Sequence, residues 1–336
     1  MQAGAGSRGP PSDRHRPVAP APPPAIEKHR RSVAGAAPPC NQARQRAAGS
    51  AATIASPTLA PQNASVADHV TWLGHSTVLL ELAGVRLITD PVLRRRVAHL
   101  RRVVPPPEPP GRLDAVLVSH LHLDHLDMPS LRRLDDAAIL VVPRGGARVV
   151  RRLGHAVVEL AAGEELDLRH VRVRAVPAVH DGRRSPAGQR ADAIGFIVEQ
   201  RVRIYFAGDT ERYDGMASFA PLDLALLPIW GWGPSVGAGH MDPEQAAAAT
   251  ALLSPNVAVP IHWGTLAAPK LRRGPPPDDP ARRFVARCAE LAPATRVQVL
   301  RPGDSHPLDA PRGSRHAPDA GVRILARPTR PPDDSS

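Results

Sequence analysis

The chain has 336 residues, a formal net charge of +11 and a pI near 11.1. No segment reaches the roughly 18 to 20 apolar residues of a membrane span, and the N-terminus lacks the apolar stretch of a secretory signal. Its two cysteines, Cys40 and Cys288, are too few for a disulfide framework. We therefore expect a cytoplasmic protein, with peripheral membrane contact as the alternative.

The positive charge and the low-complexity sequence are concentrated at the ends. Residues 1–62 are dominated by Pro, Ala, Arg and Gly, with eight Lys and Arg against two acidic residues, and residues 305–336 have a similar composition. Such segments bury too little apolar surface to fold. We predict disordered tails at 1–62 and 305–336 around one folded domain at 63–304. The basic arm predicts weak contact with anionic surfaces and no specific nucleic-acid partner, and the oligomeric state stays open.

Within the domain, apolar and alternating runs predict short strands first, then strands mixed with helices. The predicted strands lie near 69–74, 77–82, 85–89, 116–119, 138–142, 156–159, 171–178, 193–199, 202–207, 223–227, 257–261 and 295–300. The predicted helices cover 129–134, 244–253 and 280–291. Asp242 followed by Pro243 is a typical cap and first turn for the second of these helices. A basic loop follows the third strand and contains Arg94, Arg95, Arg96, Arg101 and Arg102. It would either attract an anionic substrate or lie in solvent.

The clearest indication of function is a histidine cluster that follows the fourth predicted strand. His120, His122, Asp124 and His125 fall within six residues. If this segment is extended, alternating side chains direct the first three one way and His125 to a neighbouring position, so one strand end serves two metals. Imidazole and carboxylate donors without thiolates are typical of catalytic sites for zinc and similar ions.

Three further candidate ligands each follow a later predicted strand. His180 follows the strand near 171–178, Asp209 the strand near 202–207, and His262 the strand near 257–261. We expect these strand ends to gather at one edge of packed sheets.

The His-x-His-x-Asp-His pattern resembles the signature of the metallo-β-lactamase-fold hydrolases. Finer motifs resemble the branch that holds ascorbate-6-phosphate lactonase-like proteins and N-acylphosphatidylethanolamine-hydrolysing phospholipase D. These motifs are TWLGHST at 71–77, LITDP at 87–91, FAGDT at 206–210 and GHMDPEQA at 239–246. The resemblance covers roughly 65–304 and implies an α/β fold, a four-layer αββα sandwich.

The resemblance also implies a ligand set for two metals. One metal would be held by His120, His122 and His180, the other by Asp124, His125 and His262, with Asp209 bridging. Two Zn²⁺ ions are expected, with Mn²⁺ or Fe²⁺ as alternatives, and a bridging hydroxide would be the nucleophile.

Several further residues are candidates for roles around the metals. His240 follows a Gly-rich segment just before a predicted helix, where it could donate a proton or hydrogen bond to the substrate, or only brace the helix. With Asp124 it forms the predicted catalytic pair. His75, Trp230 and Trp232 are predicted to line the substrate pocket, with a turn role for His75 and core packing for either ring as alternatives. Asp90 and Thr210 are predicted to orient ligands.

These features predict a dinuclear hydrolase that cleaves a phosphodiester, as phospholipase D does, or a phosphate-bearing lactone or ester. The substrate would be a small molecule or a phospholipid. The residue after Thr210 is Glu211, whereas the phospholipase has glycine there, so lipid specificity is not implied. A nuclease of the same fold and a noncatalytic binding protein are the alternatives.

Overall fold

The computed structural model describes residues 67–185, 188–231, 235–268 and 278–308, and the backbone of 323–324. The chain divides into two units, Met1–Pro61 and Gln62–Ser336, and every described residue belongs to the second. The predicted N-terminal tail and most of the predicted C-terminal tail lie outside the described residues, so both stay predictions there.

The first half of the folded unit contains eight strands and two short helices. The strands are β1 (His69–Gly74), β2 (Thr77–Leu82), β3 (Val85–Thr89), β4 (Arg96–Val97), β5 (Leu100–Arg102), β6 (Ala115–Leu117), β7 (Ile139–Pro143) and β8 (Val157–Leu160). The helices are α1 (Met128–Leu131) and α2 (Ala147–Val150).

The second half contains the remaining strands and two longer helices. The strands are β9 (Glu165–Leu168), β10 (Val171–Pro177), β11 (Ile194–Glu199), β12 (Arg203–Phe206), β13 (Leu224–Pro228), β14 (Val257–Ile261), β15 (Leu266–Ala267), β16 (Arg296–Val297), β17 (Ser305–Pro307) and β18 (Arg323–Ile324). The helices are α3 (Pro243–Leu253) and α4 (Asp279–Leu291), and a 3-10 helix covers Asp214–Phe219.

Two large sheets stack face to face with helices on both outer sides. One sheet has the order β17-β1-β2-β3-β6-β7-β8, and the other β16-β14-β13-β12-β11-β10-β9-β18. Leu80 and Phe196 belong to the apolar layer between the sheets. Leu131 of α1 packs on the outer face of the first sheet, and Phe284 of α4 on that of the second. The predicted αββα sandwich is confirmed.

Helix α3 shows how local sequence sets an element beside the site. The Asp242 carboxylate accepts a hydrogen bond from the Gln245 backbone N–H at 2.7 Å, and the Gln245 side chain accepts one from the Asp242 N–H at 3.1 Å. This reciprocal cap is worth about 1 kcal/mol. It starts α3 at Pro243, three residues after His240 and one residue before the predicted start, with the predicted Asp242 cap.

The parallel strands explain where the functional side chains meet. Strands β3, β6, β7 and β8 run parallel in the first sheet, and β12, β13, β14 and β16 run parallel in the second. The carboxyl ends of parallel strands lie at one edge of a sheet, where ligands of α/β proteins bind. Asp90, the histidine cluster, Asp209 and His262 all follow such ends.

Three predictions about the elements were wrong. The basic loop forms the hairpin β4–β5, which β15 extends into a three-stranded sheet. The strand predicted over 295–300 shrinks to β16. The domain boundary at 304 is too early, because β17 pairs with β1 and the Thr71 and Ser305 hydroxyls lie 2.7 Å apart. No helix in the described ranges is long and apolar enough to cross a bilayer.

Candidate metal centre

The histidine cluster lies in a tight turn rather than in an extended strand. Strand β6 ends at Leu117, and the backbone N–H groups of His125 and Leu126 donate to the His122 carbonyl at 3.1 and 2.8 Å. The predicted alternation of side chains is therefore wrong beyond His122, because these hydrogen bonds close a turn. The turn groups Asp124 with His125 rather than with His120 and His122, which is the division that the family resemblance implies.

The first donor set, which we call set A, consists of His120, His122 and His180. One ring nitrogen of each lies within 4.8 Å of those of the other two, and His180 Nε2 is 3.1 Å from His122 Nδ1. His120 is fully buried, whereas His122 and His180 are partly exposed. Set A is thus the side of the centre that opens toward solvent.

The predicted second set, set B, consists of Asp124, His125 and His262, with Asp209 between the two sets. Asp209 Oδ2 lies 3.0 Å from His125 Nε2 and 3.9 Å from His120 Nε2, and Asp209 Oδ1 lies 3.2 Å from His262 Nε2. Asp124 Oδ2 is 3.9 Å from His125 Nε2. Ligands about 2.1 Å from one zinc ion stand roughly 3.4 Å apart in a tetrahedron, so these separations suit shared cations.

The hydrogen-bond inventory tests whether cations fit here. His120 Nε2, His125 Nε2, His262 Nε2 and Asp209 Oδ1 are buried without a hydrogen-bond partner. Leaving such groups unsatisfied costs about 1 to 3 kcal/mol each, and all four converge on one place. Cations between the sets would satisfy them, so the residues fit a metal centre.

Asp90 orients two ligands through their other ring nitrogens. His125 Nδ1 donates to Asp90 Oδ2 at 2.8 Å. The Ser119 hydroxyl donates to the same oxygen at 2.6 Å and lies 3.0 Å from His120 Nδ1, from which it accepts. This directs both Nε2 atoms to the centre. It is the contact that the sequence predicts for Asp90, whereas nothing in the sequence indicates the part of Ser119.

Backbone carbonyls orient two more ligands. His180 Nδ1 donates to the Gly239 carbonyl at 2.7 Å, and His262 Nδ1 donates to the Trp230 carbonyl at 2.6 Å. Because a carbonyl only accepts, each Nδ1 carries the proton and each Nε2 keeps its lone pair for a metal.

Burial and charge set the protonation of the metal-free centre. Burial lowers the pKa of His120 well below its usual value and that of His180 to about 4. Burial also opposes the charged form of Asp209, yet His125 and His262 hold the pKa of Asp209 well below the ordinary value. Against its own burial, His125 has its pKa raised well above the ordinary value by Asp209, Asp124 and Asp90. The shifts at His120, His180 and Asp209 favour the deprotonated forms that bind a cation.

His240 lies beside the bridging carboxylate. Its Nε2 is 3.3 Å from Asp209 Oδ2, its ring is 4.7 Å from that of His180, and its side chain is 21% exposed. Its Nδ1 faces the Ala238 carbonyl at 3.1 Å and therefore carries a proton. Burial works against it, but Asp209 and the carbonyls raise the pKa of His240. His240 Nε2 thus faces the centre from the partly exposed side.

Glu211 holds the segment that carries His240. A Glu211 carboxylate oxygen accepts from the Gly239 N–H at 2.7 Å, while the Gly239 carbonyl accepts from His180. Gly239 has φ +79°, and a Cβ there would lie 2.6 Å from His180 Nδ1, so only glycine fits. The sequence marks Glu211 as a departure from a family pattern but gives no sign of this contact, because its partner is far along the chain.

The structure places the other predicted residues as follows. The Thr210 hydroxyl accepts from the Val179 N–H at 2.9 Å and so fixes the chain next to His180. The Trp230 ring is half-buried beneath the Arg283 guanidinium at 5.8 Å, and the Trp230 carbonyl accepts the hydrogen bond from His262. Trp232 lies outside the described residues. His75, predicted for the pocket, is instead 2% exposed and lies against set B.

Two arginines of the basic segment have structural partners. Arg94 binds Asp127 through two hydrogen bonds of 2.8 and 2.7 Å. Arg102 is buried and donates to the carbonyls of Val92 at 3.1 Å, Pro105 at 3.2 Å and Leu73. These two side chains brace the β4–β5 hairpin and are not free to bind a substrate.

The chain is similar in sequence to known proteins. Residues 85–263 match the family model described as a beta-lactamase superfamily domain. The chain is 33% identical to a UPF0173 metal-dependent hydrolase of Opitutus terrae over 70% of this chain and 98% of that protein. It is 32% identical to N-acyl-phosphatidylethanolamine-hydrolyzing phospholipase D 1 of Caenorhabditis elegans over 58% of this chain and 63% of that protein.

A solved structure has the same fold. Igni18, a metallo hydrolase from the archaeon Ignicoccus hospitalis, superposes with a TM-score of 0.53 and 23% identity, covering 71% of this chain and 97% of Igni18. The family match begins at Val85, so His75 comes from a part of the chain outside it.

Proposed function

Because this chain belongs to the metallo-β-lactamase superfamily of metal-dependent hydrolases, we propose that it cleaves phosphodiesters at a dinuclear centre, with zinc as the resident metal. The observation that carries the proposal is the Asp209 carboxylate, which stands between the two donor sets and approaches both. The C. elegans phospholipase among its relatives supports a phosphodiester substrate.

The proposed centre assigns His120, His122 and His180 to one cation and Asp124, His125 and His262 to the other, with Asp209 bridging. When bound, two such cations lower the pKa of a water from 15.7 toward neutrality and neutralise charge that develops on a phosphoryl oxygen. Zinc suits the imidazole and carboxylate donors, and manganese or iron are the alternatives.

His240 is the proposed proton donor. As the attacking water forms a new P–O bond and the bond to the leaving group breaks, the leaving oxygen needs a proton. His240 Nε2 stands 3.3 Å from Asp209 Oδ2, on the exposed side of the centre, and its Nδ1 is anchored on carbonyls. An imidazolium in this position can supply that proton.

The exposed apolar side chains at the rim suit an organic group attached to the phosphate. Leu123 is 42% exposed directly before Asp124, and Val179 is 44% exposed directly before His180. We propose that they contact the apolar part of a small-molecule or phospholipid substrate. Cytoplasmic location stays part of the proposal, supported by the unpaired, buried Cys288 thiol. Contact of the basic N-terminal arm with an anionic surface also stays a proposal.

The test is hydrolysis of bis(p-nitrophenyl) phosphate and of a simple lactone by zinc-loaded protein, before and after chelation. We expect phosphodiester cleavage that chelation abolishes and zinc restores. Cleavage of the lactone alone would replace the proposed substrate class by the lactonase alternative. Turnover of neither substrate by protein with both metals bound would favour the noncatalytic alternative, and selective turnover of nucleic acid would favour the nuclease.

A further inference from the structure

His75 lies in the turn between β1 and β2 with an unusual backbone conformation. Its φ is +55°, in the left-handed region that costs a residue with a side chain roughly 1 to 2 kcal/mol. Its N–H donates to the Thr265 hydroxyl at 2.9 Å. Its carbonyl accepts from Trp72 Nε1 at 2.8 Å and from the His262 N–H at 3.0 Å. Three hydrogen bonds thus hold a strained backbone in place.

This backbone directs the His75 ring into set B. The ring centroid lies 4.0 Å from that of His262 and 5.1 Å from that of His125. One donor atom each of His75, Asp124, His125 and His262 lies within 4.8 Å of all the others. The imidazole therefore packs among three proposed ligands.

The His75 ring also has an unsatisfied polar atom. Its buried Nε2 lies 3.2 Å from Asp124 Oδ2, an ion-pair distance, and makes no described hydrogen bond. The cost of such burial is about 1 to 3 kcal/mol, in addition to the backbone strain. A separation of 3.2 Å is close to the roughly 3.4 Å between two ligands of one tetrahedral zinc. A cation between Nε2 and Asp124 would satisfy both atoms.

We propose that His75 is a fourth protein ligand of the set B metal, together with Asp124, His125 and His262. The inference rests on the dinuclear centre proposed above and adds to it a donor from the turn between β1 and β2. With Asp209 shared, set B has five donors and little room for substrate. Set A has three histidines and Asp209, and keeps open positions for water and the phosphoryl group. The set B metal is then the tighter and less exchangeable of the two.

The test compares His75→Gly with wild type and with His170→Ala. Glycine adopts φ +55° without strain, so this variant removes the ring alone. His170 is exposed and contacts only the Ala83 carbonyl among its described hydrogen bonds, which makes it a matched control. Each protein is loaded with zinc, desalted and analysed for metal, and both affinities are measured by competition with a chelator.

We expect two equivalents of zinc in wild type and in the control. We expect one in His75→Gly, with the second affinity at least about 100-fold weaker, since loss of even an outer-shell partner costs up to about that much. Added imidazole should restore the second equivalent by filling the vacated space. At cobalt concentrations high enough to fill both sites, the visible spectrum should show a lower coordination number for the set B ion in the variant.

The results that would contradict this proposal differ from those that would contradict the dinuclear centre. Two equivalents with wild-type affinity in His75→Gly, or an unchanged cobalt spectrum, would reject His75 as a ligand and leave the dinuclear centre intact. Fewer than two equivalents in wild type would reject the dinuclear centre itself. Thermal unfolding of the metal-free proteins checks the fold, and His75→Asn, which also tolerates a left-handed backbone, repeats the test if the glycine variant does not fold.

Discussion

The two donor sets of the centre differ in how the fold holds them. In set A, His122 and His180 are partly exposed and lie in loops. In set B, His125 and His262 are buried, His262 has φ +62°, and its N–H bonds to the carbonyl of His75, which has φ +55°. Backbone strain is tolerated where the surrounding structure fixes it, commonly at functional sites. This difference supports the proposal that set B retains its cation and that set A exchanges ligands.

The largest expected effect comes from changing Asp209, the proposed bridge between the two sets. Asp209→Asn keeps the size of the side chain but takes away its charge, so we expect loss of both tightly bound metals. Turnover should fall by more than about 1,000-fold, because the catalysis supplied by the cations is worth several kcal/mol. Metal analysis beside initial rates checks this. An active variant with two bound metals would show that Asp209 does not link the sets.

The second prediction tests whether His240 donates a proton without taking part in metal binding. His240→Ala should retain both metals yet lose about 100-fold or more in the cleavage of an alkyl phosphodiester, whose leaving group needs a proton. It should lose little on bis(p-nitrophenyl) phosphate, whose leaving group does not. Equal losses on both substrates would assign His240 to positioning, and a normal rate on both would remove it from the mechanism.

The third prediction concerns the support of that histidine. Glu211→Ala removes the acceptor for the Gly239 N–H, so the His240 segment should loosen and kcat for the alkyl diester should fall roughly 10-fold. Glu211→Gln keeps an acceptor oxygen and should restore most of the rate. Asp214→Ala is the control, since its carboxylate is 92% exposed and pairs with Arg212. If alanine and glutamine lower kcat equally, the hydrogen bond is not the cause.

The smallest effect is the pH dependence of the metal-free fold. Burial lowers the pKa of His75 to about 3 and of His180 to about 4, whereas both are near 6.5 in an unfolded chain. Between these values the unfolded chain binds protons that the folded one does not, so the free energy of unfolding should decrease as the pH falls from about 6.5 toward 4. The pKa of His125 is raised in the folded protein, so its contribution to stability is complete once the pH is well below 6.5 and does not offset the loss there.

Urea unfolding of chelator-treated protein across this range is the measurement. Stability that rises or stays constant on acidification would show that these histidines are not held neutral by burial. Zinc-loaded protein should keep its stability to a lower pH, because bound cations exclude protons from the ligands.

The sequence predicts those parts of the structure that depend on residues close together in the chain. Alternating apolar runs gave β1, β2, β3 and β10 closely, and the Asp242 cap gave the start of α3. The candidate ligands could be named because each follows a strand, and the structure brings their side chains together; that they bind metal stays a prediction. The motif resemblance then supplied their division between two metals.

Contacts between segments that lie far apart in the chain could not be predicted from the sequence. Strand β17 pairs with β1 across more than 200 residues, and its Ser-His-Pro sequence has no strand pattern. Similarly, Glu211 meets Gly239, and the His75 N–H meets Thr265 190 residues away. The turn at His122 was missed because its hydrogen bonds close within a segment whose spacing also suits a strand.

Anomalous diffraction at the zinc edge from crystals of the zinc-loaded protein tests the dinuclear centre most directly. We predict two peaks on either side of the Asp209 carboxylate, one within bonding distance of His120, His122 and His180, and the other within bonding distance of Asp124, His125 and His262. A single peak, or two peaks that do not share Asp209, would contradict the account.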